Sequence, residues 1–142
     1  MNRNTLIRVL GYLIVLLLVL QGACSFSLAY SFASMFRGAQ NVRVSDPLPT
    51  FVWWYVAYGC LWLGAGVAFR LLSRRIRRWF VLLSAVALFY GVKGYLQSAP
   101  FLLSWLGVFR GDVLALETAS SAISCLLGIF FFFHWVVGRK PL

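Results

Sequence analysis

The sequence predicts an all-α integral membrane protein. Its expected form is a four-helix antiparallel bundle, N-in and C-in, with a short outer interfacial segment between spans three and four. Three observations lead there. Of the 142 residues, 62% are hydrophobic and only 11% are charged, whereas a soluble domain averages about 45–50% apolar and about 25% charged. So few charges cannot solvate a water-facing surface. Four apolar runs also approach the length of about 20 residues that crosses about 30 Å of hydrocarbon. Finally, the basic residues collect at alternate ends of those runs, as the positive-inside rule requires. The length suits one membrane domain, 1–142.

The first span covers about Val9 to Phe32, within "RVLGYLIVLLLVLQGACSFSLAYSF". Basic flank, leucine-rich run and Gly22-Ala23-Cys24 together imitate a lipoprotein signal, but Gln21 stands where an aliphatic residue is required. After Cys24 the chain continues "SFSLAYSFASMF" with no charge before Arg37. The expectation is therefore an uncleaved span, with Cys24 an intramembrane thiol. An outer loop, 36–50, follows; its Pro47 and Pro49 break helical structure.

Span two runs from about Phe51 to Leu72, entered by the aromatic set Trp53, Trp54, Tyr55 and Tyr58. "SRRIRR" (73–78) reads as a tight cytoplasmic basic turn. There Arg70, Arg74, Arg75, Arg77 and Arg78 orient the protein and meet anionic headgroups. Span three covers about Trp79 to Gln97. The segment 98–112, "SAPFLLSWLGVFRGD", is apolar but too short to cross. Phe101, Leu102, Trp105, Leu106 and Phe109 recur at helical spacing, so it is expected to lie in the outer interface. Span four runs from about Val113 to Val137.

Direction follows from the Lys and Arg count. Arg3, Arg8, Arg70, Arg74, Arg75, Arg77, Arg78, Arg139 and Lys140 gather on one side, and only Arg37, Arg43 and Arg110 on the other. Both termini are thereby assigned to the cytoplasm. The acids Asp46, Asp112 and Glu117 fall at the opposite end. A net charge of +10 distributed in this way argues for lipid headgroups and against nucleic acid.

Spans associate in lipid through small residues and polar side chains. Four stripes at four-residue spacing are candidates for packing within the chain: Ala23, Ser27 and Ser31; Cys60, Gly64 and Ala68; Ala87 and Gly91; Ser120, Ser124 and Gly128. On span four Glu117, Ser120, Ser121, Ser124 and Gly128 share one face. That leaves the opposite side, including Phe130 to Phe133, for lipid.

Charged residues inside spans are rare and usually face a bundle interior or water. Lys93 lies about 21 Å along span three from Trp79, at nearly the same depth as Glu117 on the antiparallel span four. The candidate polar site is Lys93, Glu117, Gln97, Ser120, Ser121 and Ser124. It serves either as a structural ion pair or as a carrier or lipid-headgroup site, and Lys93 has the alternative of snorkelling to the headgroups. No catalytic set and no metal or cofactor site is expected. The single His134 reads as an interfacial aromatic, and Cys24, Cys60 and Cys125 contain no CxxC. A disulfide between Cys24 and Cys60 is geometrically conceivable, which keeps intramembrane thiol chemistry as a remote alternative.

"FVWWYVAYGCLWLGAGVAF", "RRIRR", "ALFYGVKGYLQS" and "VLALETAS" together resemble small four-span bacterial membrane proteins classed as a domain of unknown function. The resemblance covers the chain from about Asp46 onward. It implies a bacterial inner membrane, draws attention to Glu117, and carries no known activity. Gly91-Val92-Lys93-Gly94-Tyr95 departs from the family's pattern, which has a Gly-Gly pair followed by Arg. The expected role is a non-enzymatic accessory or partner subunit, bound to another membrane protein or to a second copy of itself.

Overall fold

A computed structural model describes residues 2–38, 47–76, 79–104 and 111–138, and these are entirely helical apart from short connections. Four helices follow in chain order: α1 (Arg3–Arg37), α2 (Thr50–Ile76), α3 (Phe80–Ser104) and α4 (Gly111–Gly138). Three stretches are long and apolar enough to cross a membrane: Arg3–Arg37, Thr50–Leu71 and Val113–Gly138. In α3 the apolar stretch is shorter, Phe80–Gly94.

The helices outrun the expected spans. α1 has 35 residues, about 52 Å at 1.5 Å per residue, and continues unbroken through Cys24. Its buried residues extend from Leu10 to Ser31, so this first helix is one of the two inner helices of the fold. The basic segment is less of a turn than expected, since α2 runs on to Ile76 and carries Arg74 and Arg75 in its last turn. Arg77 and Arg78 lie outside the described residues. Likewise the first half of the expected interfacial segment, 98–104, prolongs α3 through Pro100. A proline removes one backbone hydrogen bond, and the helix continues past it. Residues 105–110 lie outside the described residues.

The helices form an open row rather than a closed ring. α1 packs on both α2 and α4, and α4 packs on α3; among the described residues α2 and α3 share no extended interface beyond the Phe69–Phe80 stack. Neighbours run antiparallel. Phe32 of α1 stacks on Tyr55 near the start of α2, while Arg70 near its end lies over the Tyr12 ring of α1. The start of α1 meets the end of α4, where Arg3 Nε donates to the Val137 carbonyl at 2.9 Å. That cation satisfies a helix carbonyl at the negative end of the α4 dipole.

An aromatic cluster closes this end. Phe69 of α2 stacks on Phe80 of α3 at 5.5 Å, and both contact Phe131 and His134 of α4. His134 is thus a core residue, 3% exposed, rather than interfacial. Its ring stands edge-on to Phe80 at 5.1 Å, the arrangement aromatic quadrupoles favour. Phe131 is buried as well, while Phe132 and Phe133 are exposed. Consecutive residues step by 100° around a helix, so a run of four cannot share one lipid face.

Two of the four small-residue stripes pack within the chain. Ala87 and Gly91 of α3 are buried, as are Ser124 and Gly128 of α4, with Ser120 half-buried. At Gly91 the helices approach so closely that a Cβ would meet the Cys125 sulfur and backbone. The other two stripes are split, with Ser31 buried and Ala68 half-buried while the rest turn outward. Ala23 and Ser27 of α1 and Cys60 and Gly64 of α2 are exposed. The α1–α2 contact runs instead through Phe26, whose ring lies on Gly59. Without a polar face to contrast with, spacing alone does not say which stripe turns inward.

Candidate functional site

α4 carries a polar track at intervals of three to four residues, and the structure divides it into two foci. At the end where α2 begins, the Tyr55 hydroxyl faces the half-buried Glu117 carboxyl. Lys93 is exposed and forms no ion pair with Glu117. The rotation of α3 explains this separation: Gly94 is the residue set against Ser121 of α4, and Lys93, a 100° step away, turns outward. Gln97 is in α3, and its side chain lies outside the described residues.

The second focus is at mid-helix, and it joins α4 to α1. Gln21 Nε2 donates to Ser120 Oγ at 2.7 Å and to Ser124 Oγ at 3.2 Å. Gln21 is 5% exposed, and its Oε1 has no hydrogen-bond partner. Thirteen residues separate it from Arg8 and sixteen from Arg37, so it lies about 20 Å and about 24 Å from the two charges. That is the middle of the apolar run of α1, where an unsatisfied polar group costs most. The sequence carried a signal for this residue, a lone amide inside a leucine-rich run. As a mismatch to a lipoprotein signal its weight was only negative.

Ser121, one position on, turns back along its own helix and donates to the Glu117 carbonyl at 2.9 Å. Ser25 does the same to the Gln21 carbonyl at 3.1 Å. Neither hydroxyl crosses to another helix by these bonds. A further interhelix bond, Ser84 Oγ to the Gly128 carbonyl at 2.7 Å, ties α3 to α4. Of the predicted set, Ser120 and Ser124 therefore share one centre with Gln21. Glu117 faces Tyr55, and Lys93 stands apart.

Because α2 and α3 diverge above the aromatic cluster, an apolar cleft of about 220 Å³ lies between them. Trp62 and Phe69 of α2 form one wall and Val86 and Tyr90 of α3 the other, with Leu18 of α1 and Ser124 of α4 behind. Val86 and Tyr90 are exposed, so the cleft opens sideways.

The three cysteines are free thiols, Cys60 exposed and the other two half-buried. Arg70 is exposed at the start of the basic segment. Among the described residues no three His, Cys, Asp or Glu side chains assemble in a metal-binding group. Comparison of the chain with protein-family models, curated proteins and solved structures gives no match.

Proposed function

We infer that this chain is an integral membrane protein of a bacterial inner membrane and acts as a non-enzymatic accessory subunit. It seats a helix of a second membrane protein on the outward face of its α1–α2 pair. The carrying observation is the position of the small residues. Phe26 and Gly59 face one another across an antiparallel pair, so the residues that follow them, Ser27 and Cys60, lie on the same side. Ala23 is one turn from Ser27, and Gly64 is one turn from Cys60. All four are exposed, and a Cβ at Gly64 would meet nothing within 4 Å. Small residues across two neighbouring helices let a third helix come close enough for dispersion to hold it, which is how helices associate in lipid.

N-in, C-in orientation is supported by the gathering of the basic flanks. Arg3, Arg8, Arg70, Arg74 and Arg75 belong to the end where α1 starts and α2 and α4 finish. That excess suits anionic headgroups at the cytoplasmic face. The resemblance to small four-span membrane proteins of unknown function is in keeping with this reading. A second reading, a carrier or headgroup site, rests on the Tyr55–Glu117 pair. It requires Glu117→Gln to change transport or lipid retention at unchanged abundance.

Cys60 provides the test of the first. A photoreactive maleimide placed there in native membranes is expected to capture one protein at fixed stoichiometry, and Gly64→Leu to abolish capture while the chain still accumulates. Capture of lipid alone, or solute movement by the purified chain, overturns the subunit reading.

A further inference from the structure

We propose that the basic end of the α1–α2 pair holds one anionic phospholipid, its phosphate clamped between Arg8 and Arg70 beside the ring of Tyr12. This rests on the membrane reading but not on the subunit reading, since Tyr12 lies about 22 Å along α1 from Ser27.

Three observations bring these residues together. The Arg70 guanidinium of α2 stands 6.0 Å from the centre of the Tyr12 ring of α1, so one cation already bridges the two helices. Arg8 precedes Tyr12 by four residues, which sets it on the same face of α1, about 6 Å nearer the helix start. Arg8, Tyr12 and Arg70 are all exposed. Among the described residues no carboxylate stands near to neutralise the two charges. Asp112 and Glu117 of α4 lie about 30 Å or more along that helix from Val137, the residue that marks this end. The Tyr12 ring attracts a guanidinium without cancelling its charge. Arg3 is engaged differently, by the Val137 carbonyl.

The class of ligand follows from this arrangement. Two guanidinium groups about one helical turn apart suit the tetrahedral oxygens of a phosphate, which arginine grips with paired N–H donors. The surface beside them is apolar. Leu16, one turn on from Tyr12, is exposed, as is Val67, three residues before Arg70. A phospholipid whose phosphate sits between the arginines runs its acyl chains along that surface. A free phosphate would use the same arginines and leave the apolar surface aside.

The test places the full chain in nanodiscs of phosphatidylglycerol and phosphatidylcholine in equal amounts, with identical acyl chains. Native mass spectrometry after gentle release counts the lipids each chain retains. One phosphatidylglycerol is expected per chain, favoured over phosphatidylcholine about tenfold, as charge-assisted hydrogen bonds give. Arg8→Lys and Arg70→Lys keep every charge but lose the paired donors, so each is expected to lower that preference several-fold. Arg3→Lys is expected to leave it unchanged, and excess inorganic phosphate to leave the lipid in place. The proposal is overturned if both lipids are retained alike. It is also overturned if the Arg8 and Arg70 variants match the wild type, the result of diffuse attraction by the whole basic end. Displacement by inorganic phosphate overturns it too, by assigning the arginines to a free oxyanion. None of these outcomes alters capture at Cys60, so the lipid site and the subunit reading fail separately.

Discussion

A methyl group at Gly91 tests how closely α3 and α4 approach. A Cβ there would lie 2.5 Å from Cys125 Sγ, 2.7 Å from the Cys125 backbone nitrogen and 2.9 Å from the Ser121 carbonyl oxygen. Carbon contacts are optimal at about 3.5–4.0 Å, and two of these three atoms are backbone, so the helices must separate. Overpacking of this kind costs about 1–3 kcal/mol. Alanine recovers about 0.5–1 kcal/mol of helix preference over glycine. The Ser84–Gly128 bond in the same interface weakens too, and such interhelix bonds are worth about 0.6 kcal/mol in membranes. Gly91→Ala is therefore expected to destabilise the protein by about 1–2 kcal/mol. Gly64→Ala is the control: with nothing within 4 Å of the new carbon, only the helix preference remains, a gain of about 0.5–1 kcal/mol. The assay is reversible unfolding in mixed micelles of mild detergent and dodecyl sulfate, followed by far-ultraviolet circular dichroism. The reasoning is refuted if Gly91→Ala proves as stable as Gly64→Ala.

Other expectations use the same assay. Replacing Ser120 and Ser124 together by alanine strands a buried amide, at a cost of about 1–3 kcal/mol, whereas Gln21→Leu removes the polar group altogether and costs less; the reverse order would place Gln21 outside the core. Phe69→Ala opens the aromatic cluster at Phe80, Phe131 and His134 and is expected to cost about 3 kcal/mol, with the loss of α2–α3 proximity visible by spin-label distances. Lys93→Met is expected to stay within about 0.5 kcal/mol of the wild type, because the side chain is exposed and makes no ion pair with Glu117. A large loss there would reinstate the ion pair. Glu117→Gln keeps a polar group of the same shape opposite the Tyr55 hydroxyl, so its abundance is expected to hold.

The sequence by itself determined four helices and the order in which they follow. Those are local, one-dimensional properties. Hydropathy sets where a helix can lie in lipid, and the backbone must satisfy its own hydrogen bonds there, so the apolar runs of α1, α2 and α4 carry their structure in their composition. Helix ends were less legible: α2 runs through most of the basic segment and α3 passes Pro100, because helix continuation costs little where no competing structure forms. What only the tertiary structure decided is which way each helix faces. In a soluble helix the polar side marks solvent, but a helix apolar all round carries no such mark. Spacing could not tell Ala23 and Ser27, which turn outward, from Ala87 and Gly91, which turn in. The same freedom undid the expected meeting of Lys93 with Glu117. It was the rotation of α1 against α4 that brought Gln21 onto Ser120 and Ser124, and the narrowness of the α2–α3 contact at Phe69 and Phe80 that left a cleft beyond it.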